Sequence, residues 1–152
     1  MLALLLGAVT GCTVTPPSKP LLSLPATAPS QRLDTAALEQ YRLRVAQRIL
    51  ERSPSFVLHG TPQAMLRSVV VVAFIVDANG QVVSSSVYRS NGDSGAERTA
   101  LAALRRAAPL PQPPPDLLDG RGHLELLEDW LFNNNGKFQL REFASPQATT
   151  ID

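Results

Sequence analysis

Apolar residues at Leu38, Tyr41, Val45 and Ile49 recur at spacings of three and four, which places them on one stripe of a helix. Asp34 or Thr35 can cap that helix, and Pro54 stops it after about Ser53. Arg44, Arg48 and Arg52 form a second row on another face, the pattern of a solvated helix surface. The run from Arg67 to Val76 is β-branched and apolar at both odd and even positions, so it predicts a central strand buried on both faces. Asp77-Ala78-Asn79-Gly80 is a hairpin turn, and Gln81 to Arg89 is the return strand. Ser84, Ser85 and Ser86 make that strand more polar, as an edge strand would be. Ser94-Gly95-Ala96-Glu97 reads as a capping box opening a second helix through Ala107. The stretch from Pro109 to Pro115 is a rigid polyproline crossover. From His123 to Phe132 the chain alternates, with Leu124, Leu126, Glu128, Trp130 and Phe132 on one face. Asn133 to Gly136 is a further turn, and Lys137 to Phe143 completes a second hairpin.

These elements predict an α+β fold, a two-layer sandwich with helices on one face of an antiparallel sheet of three to four strands. A right-handed crossover makes the third strand parallel to the second and places it beside the first. The order is therefore 2-1-3-4. The apolar positions on the uncovered sheet face would need a partner or a second copy.

The chain has 152 residues, suggesting one folded domain of about 34–145, followed by a short flexible tail over 146–152. The net charge of +1 gives no electrostatic excess for nucleic acid. A single Cys excludes an intrachain disulfide framework and a thiolate-based zinc site. His59 and His123 lie in no metal-ligand spacing, no Gly-x-Ser-x-Gly elbow accompanies the serines, and no Gly-rich phosphate loop is present. Glu125 and Asp129 share a strand face as solvated carboxylates, while Glu128 takes the Trp130 face, where an Arg from the helices can pair with it. The expectation is no metal, no cofactor and no catalytic site, hence not an enzyme.

The N-terminal stretch MLALLLGAVTGC has an uncharged apolar run too short to cross a bilayer, with the size of a signal h-region. Val9-Thr10-Gly11-Cys12 resembles the lipobox of bacterial lipoproteins, in which cleavage falls between Gly11 and Cys12 and the Cys thiol is lipidated. Residues 1–11 are then a signal peptide and 12–33 a lipidated Cys followed by a tether. Pro16, Pro17, Pro20, Pro25 and Pro29 make the tether extended, with a reach on the order of 60 Å. The resemblance implies the periplasmic face of the outer membrane, because Thr13 occupies the position where an Asp would imply inner-membrane retention.

The domain residues resemble the C-terminal domain of the TonB family. The resemblance rests on Val70 to Gly80, the step Arg89-Ser90-Asn91-Gly92, the Ala-rich helix Glu97 to Ala108 and the exit Pro109-Leu110-Pro111-Gln112-Pro113-Pro114, with Tyr41 to Leu50 in support. It implies a periplasmic domain that grips an outer-membrane protein by adding a strand to a sheet edge, so the expected partner is an envelope protein, of the outer membrane or of a multi-subunit complex. In energy-coupled members of the family an N-terminal membrane helix engages a proton-driven motor; here a lipid anchor takes that place. The expected contact surface is the two edge strands, with Val82, Ser84, Ser86 and Tyr88 on one and Lys137, Gln139 and Arg141 on the other. The fourth strand would cover the third-strand edge that the family uses for capture. Two other classes compete with this adaptor: a structural subunit of a multi-copy secretion, pilus or motor assembly, with homo-oligomers, and a small hydrolase using His59 or His123.

Overall fold

The computed structural model describes residues 35–150. The expected signal segment, Cys12, the expected tether and the candidate cap Asp34 lie outside the described residues.

Helix α1 (Thr35–Glu51) buries Tyr41, Val45 and Ile49 of the expected stripe together with Ala46, while Leu38 is half-buried. It ends two residues earlier than the position of Pro54 suggests. Ser53 N–H turns back to the Leu50 carbonyl at 3.1 Å, and Pro54–Phe56 forms a 3-10 turn. Strand β1 (Ser68–Asp77) pairs antiparallel with β2 (Val82–Arg89). Helix α2 (Ser94–Ala107) then returns the chain to β3 (His123–Phe132), which pairs antiparallel with β1. The short strand β4 (Phe138–Leu140) follows, and the sheet order is β2-β1-β3-β4. The architecture is the expected α+β sandwich.

Both helices pack on the face that carries Val70, Val72, Phe74 and Val76 of β1 with Leu124, Leu126, Trp130 and Phe132 of β3. Burial of each large apolar side chain there stabilises the fold by about 1.5–3 kcal/mol. Ala96, Ala100, Ala103 and Ala107 of α2 are all buried. Their small side chains let the helix approach the sheet closely.

The opposite face is only half covered, which corrects the two-sided burial expected of β1. Val71 is buried, Ala73 and Ile75 are half-buried, and Val69 is 38% exposed. The register explains the gradient. Val71 is flanked by Arg89 and Asp129, while Ala73 and Ile75 have the small Ser86 and Ser84 on their β2 side.

The start of α2 also differs from expectation. Asp93, not Ser94, is the cap, and its carboxylate accepts from the N–H groups of Gly95 and Ala96. Those backbone donors and then the Arg67 guanidinium, at 2.6 Å, hold its carboxyl below the usual carboxylate range. Glu97 accepts from the hydroxyl of Ser90 instead of closing a capping box.

At the first hairpin, Gly80 adopts φ +82°, and its carbonyl accepts from Leu110 N–H at 2.7 Å. A Cβ there would lie 2.0 Å from the Leu110 carbonyl oxygen, so both the conformation and the close approach demand glycine.

Candidate partner-binding edges

Strand β4 is shorter than the alternation predicts. Only Trp130, Leu131 and Phe132 of β3 have β4 partners, namely Leu140, Gln139 and Phe138. After Leu140 the chain turns into a 3-10 segment, Arg141–Phe143. This corrects the expected strand from Lys137 to Phe143.

The outer edge of β4 is taken by the chain's own loop. Val57 bridges Phe138, and Leu58 N–H donates to the Phe138 carbonyl at 2.8 Å. The buried Gln139 amide donates to the carbonyls of Leu58 and Gly60 and accepts from Ser145 N–H. Arg141 pairs with Asp129 at 3.3 Å, and Lys137 stays exposed beside the turn. The expected contact residues Lys137, Gln139 and Arg141 therefore do not form one open edge.

Strand β2 has an outer edge, but two bulges interrupt it. Its register with β1 shifts at Val83 and at Tyr88, the two bulged residues, and these are 53% and 68% exposed. Bulges on an edge strand break the ladder that a second chain would extend. Of the residues expected at this edge, Val82 pairs with Val76 on the helix-covered side, and Ser84 and Ser86 pair with Ile75 and Ala73. Tyr88 stands in a bulge.

The remaining edge is the half of β3 that β4 leaves uncovered. The Phe132 carbonyl accepts from Arg67 N–H on the β1 side, whereas Asn133 N–H donates to Lys137 on the β4 side. Backbone groups alternate sides along an antiparallel strand, so Glu125, Leu127, Asp129 and Leu131 turn theirs away from β1. Leu131 meets Gln139. The Leu127 carbonyl accepts from Arg42 Nη2 at 3.3 Å, and Asp129 N–H donates to Glu128 Oε1 at 3.2 Å. Among the described residues, no hydrogen-bond partner meets the Glu125 N–H and carbonyl or the Leu127 N–H. A shallow hollow adjoins this stretch, lined by Leu38, Arg42, Tyr88, Glu125, Leu126 and Leu127.

Glu128 is 2% exposed, on the helix-covered face. Burial first, then a hydrogen bond with Glu142 and the repulsion of its charge, push its carboxyl up to about 10. It is therefore neutral at pH 7. Glu142 Oε2 is buried with no N–H donor among the described residues. The Glu128 hydrogen bond and Arg42, at 2.7 Å from Glu142 Oε1, outweigh burial and hold the Glu142 carboxyl below its usual range. An Arg from the helices was the expected partner of Glu128. The structure places a second carboxyl there, with Arg42 of α1 bound to that carboxyl. The signal missed in the sequence was Glu142, placed near Glu128 only because β4 ends early.

His59 is exposed and His123 is half-buried, at the start of β3. Among the described residues no group of three His, Cys, Asp or Glu could hold a metal ion, and no helix is long and apolar enough to cross a membrane.

A family model for the TonB C-terminal domain matches residues 38–122. The match runs from α1 through α2 and ends one residue before β3. The protein named Protein TonB from Pseudomonas putida is 34% identical over 68 residues, which cover 45% of this chain and 28% of that protein. The chain thus spans well under two thirds of that relative's length. No solved structure matches. With the strand order, the Ala-rich helix and the Pro-rich exit already in place, this match over more than half of the chain places the protein in the TonB C-terminal domain family.

Proposed function

We propose that this protein is a lipoprotein of the periplasmic face of the outer membrane, whose TonB-type domain binds an envelope protein by strand addition along the uncovered half of β3. In this reading the signal is cleaved between Gly11 and Cys12, Cys12 carries the lipid, and the Pro-rich tether lets the domain stand off the bilayer. Two or three acyl chains anchor stably where one does not. The role is capture, not catalysis.

The observation that carries the reading is the pair of Glu125 and Leu127, whose outward N–H groups and Glu125 carbonyl have no partner among the described residues. Backbone hydrogen bonds to an added strand supply affinity, and pockets for alternate side chains supply specificity. The hollow beside Leu126 and Leu127 is such a pocket. Strand β2 is the weaker candidate because its two bulges break the register an added strand would follow.

The test is in vivo photo-cross-linking from position 127, with wild type and Cys12→Ala compared after fractionation. A discrete envelope protein should be cross-linked in the wild type, and Cys12→Ala should leave the membrane fraction. Retention of Cys12→Ala on the membrane would overturn the anchor. An absence of adducts from position 127, with adducts from β2, would overturn the choice of edge.

A further inference from the structure

Two side chains occupy the positions of a missing strand. If β4 continued in its register, Asp129 would face Arg141, and Leu127 would face Phe143. The turn at Arg141–Phe143 removes those backbone partners. Arg42 Nη2 then supplies the donor for the Leu127 carbonyl, and Glu128 Oε1 supplies the acceptor for Asp129 N–H. Glu142, delivered by the same turn, binds Arg42 at 2.7 Å and lies against Glu128. The three side chains come from α1, β3 and the segment after β4, and they meet only at this edge.

We infer that Arg42, Glu128 and Glu142 form a clamp on the Leu127–Asp129 part of the β3 edge, of which an incoming strand displaces Arg42 at Leu127 while Glu128 keeps Asp129 closed. The inference rests on the strand-capture reading above. The two halves of the clamp differ in strength. Arg42 holds the Leu127 carbonyl at 3.3 Å but holds Glu142 at 2.7 Å, and its side chain is partly exposed. It can release the carbonyl and keep its ion pair. Glu128 is buried, and freeing Asp129 N–H from it would leave a carboxyl oxygen in the core without its donor. A partner strand therefore displaces Arg42 at Leu127 and stops before Asp129. At the other end, the His123 carbonyl already accepts from Asp119 N–H at 2.8 Å. Capture is confined to the backbone of Glu125 and Leu127, a short segment. An edge left fully open would pair with unintended chains, and the clamp narrows it.

Two measurements on the mature chain, from residue 12 with Cys12→Ser, test this. The first is amide hydrogen exchange without ligand. Asp129 N–H should exchange at least tenfold more slowly than Glu125 and Leu127 N–H, and Glu128→Leu should bring it to their rate. Equal rates at all three in the wild type would overturn the clamp. The second titrates a capped heptapeptide of alternating Val and Thr with terminal Lys residues, followed by backbone amide shifts. Arg42→Met, which keeps the aliphatic stem, should bind it about three- to tenfold more tightly than wild type, the worth of one released hydrogen bond. Glu142→Gln, which loosens Arg42 without removing it, should move affinity in the same direction. Binding at Glu125 and Leu127 that is indifferent to Arg42 would sink the clamp and leave strand capture standing. Absence of any peptide shift at β3 in all variants, with the exchange pattern intact, would sink strand capture while the side-chain contacts remained.

Discussion

Replacing Glu128 by Gln should stabilise the domain at neutral pH, and by an amount that grows with pH. The carboxyl is 2% exposed and is raised to about 10 in the folded protein, against 4.5 as its ordinary value. A carboxyl raised in the folded state costs nothing below its unfolded value. Its penalty begins near pH 4.5, grows as pH rises, and levels off above the folded value. At pH 7.5 the unfolded chain has ionised this group and the folded one has not. Three pH units of difference amount to about 4 kcal/mol as an upper limit. Glu142 acts in the opposite sense. Its lowered carboxyl contributes stability above its ordinary value of 4.5, and that contribution is lost as pH falls below it. The amide introduced by Glu128→Gln keeps the shape, accepts from Asp129 N–H and donates to Glu142, but cannot ionise. Urea unfolding of wild type and Glu128→Gln between pH 5 and pH 9 measures the difference, with an unchanged denaturant slope confirming that only stability moved. The two proteins should differ little at pH 5 and diverge steadily toward pH 8. A difference independent of pH, or a variant weaker than wild type at pH 8, would refute the buried neutral carboxyl.

Gly80→Ala should cost well over 2 kcal/mol or prevent folding, because φ is +82° and the added Cβ meets the Leu110 carbonyl; Gly136→Ala, at φ +76° with nothing within 4 Å, should cost only about 1 kcal/mol by thermal unfolding. Equal losses in the two variants would argue against the close approach at Leu110. Gln139→Leu removes the donor for the Leu58 and Gly60 carbonyls and the acceptor for Ser145 N–H, so it should speed Ser145 amide exchange and open the loop near Thr61 to protease. Unchanged exchange and cleavage would show that the loop covers β4 without help from that side chain.

Much of the fold was legible because single residues carried it. Valines at both parities made β1 central, Asp77 to Gly80 made the hairpin, and handedness then fixed the order β2-β1-β3-β4. The edges were harder to read, because they depend on tertiary contacts. The alternation of Phe138 and Leu140 with Lys137, Gln139 and Arg141 suits a longer strand, but Glu142 is drawn to Glu128 and Arg42, and the strand ends at Leu140. The bulges at Val83 and Tyr88 leave no mark in a run of Val and Ser, and they break the row of alternate residues expected on β2. Val57 and Leu58 reach β4 from about eighty residues away in the chain, a contact with no local signature. Asp93 took the cap from Ser94 because its carboxylate reaches two N–H groups and Arg67 at once.

In the proposed function a partner strand is added at β3, between Glu125 and Leu127. Amide hydrogen exchange of the cross-link-identified complex, resolved to single residues, tests it most directly. Glu125 and Leu127 N–H should become protected on binding, while Asp129 and the β2 residues Ser85 and Val87 keep their free-state rates. Protection that appears along β2 and leaves Glu125 and Leu127 unchanged would contradict it.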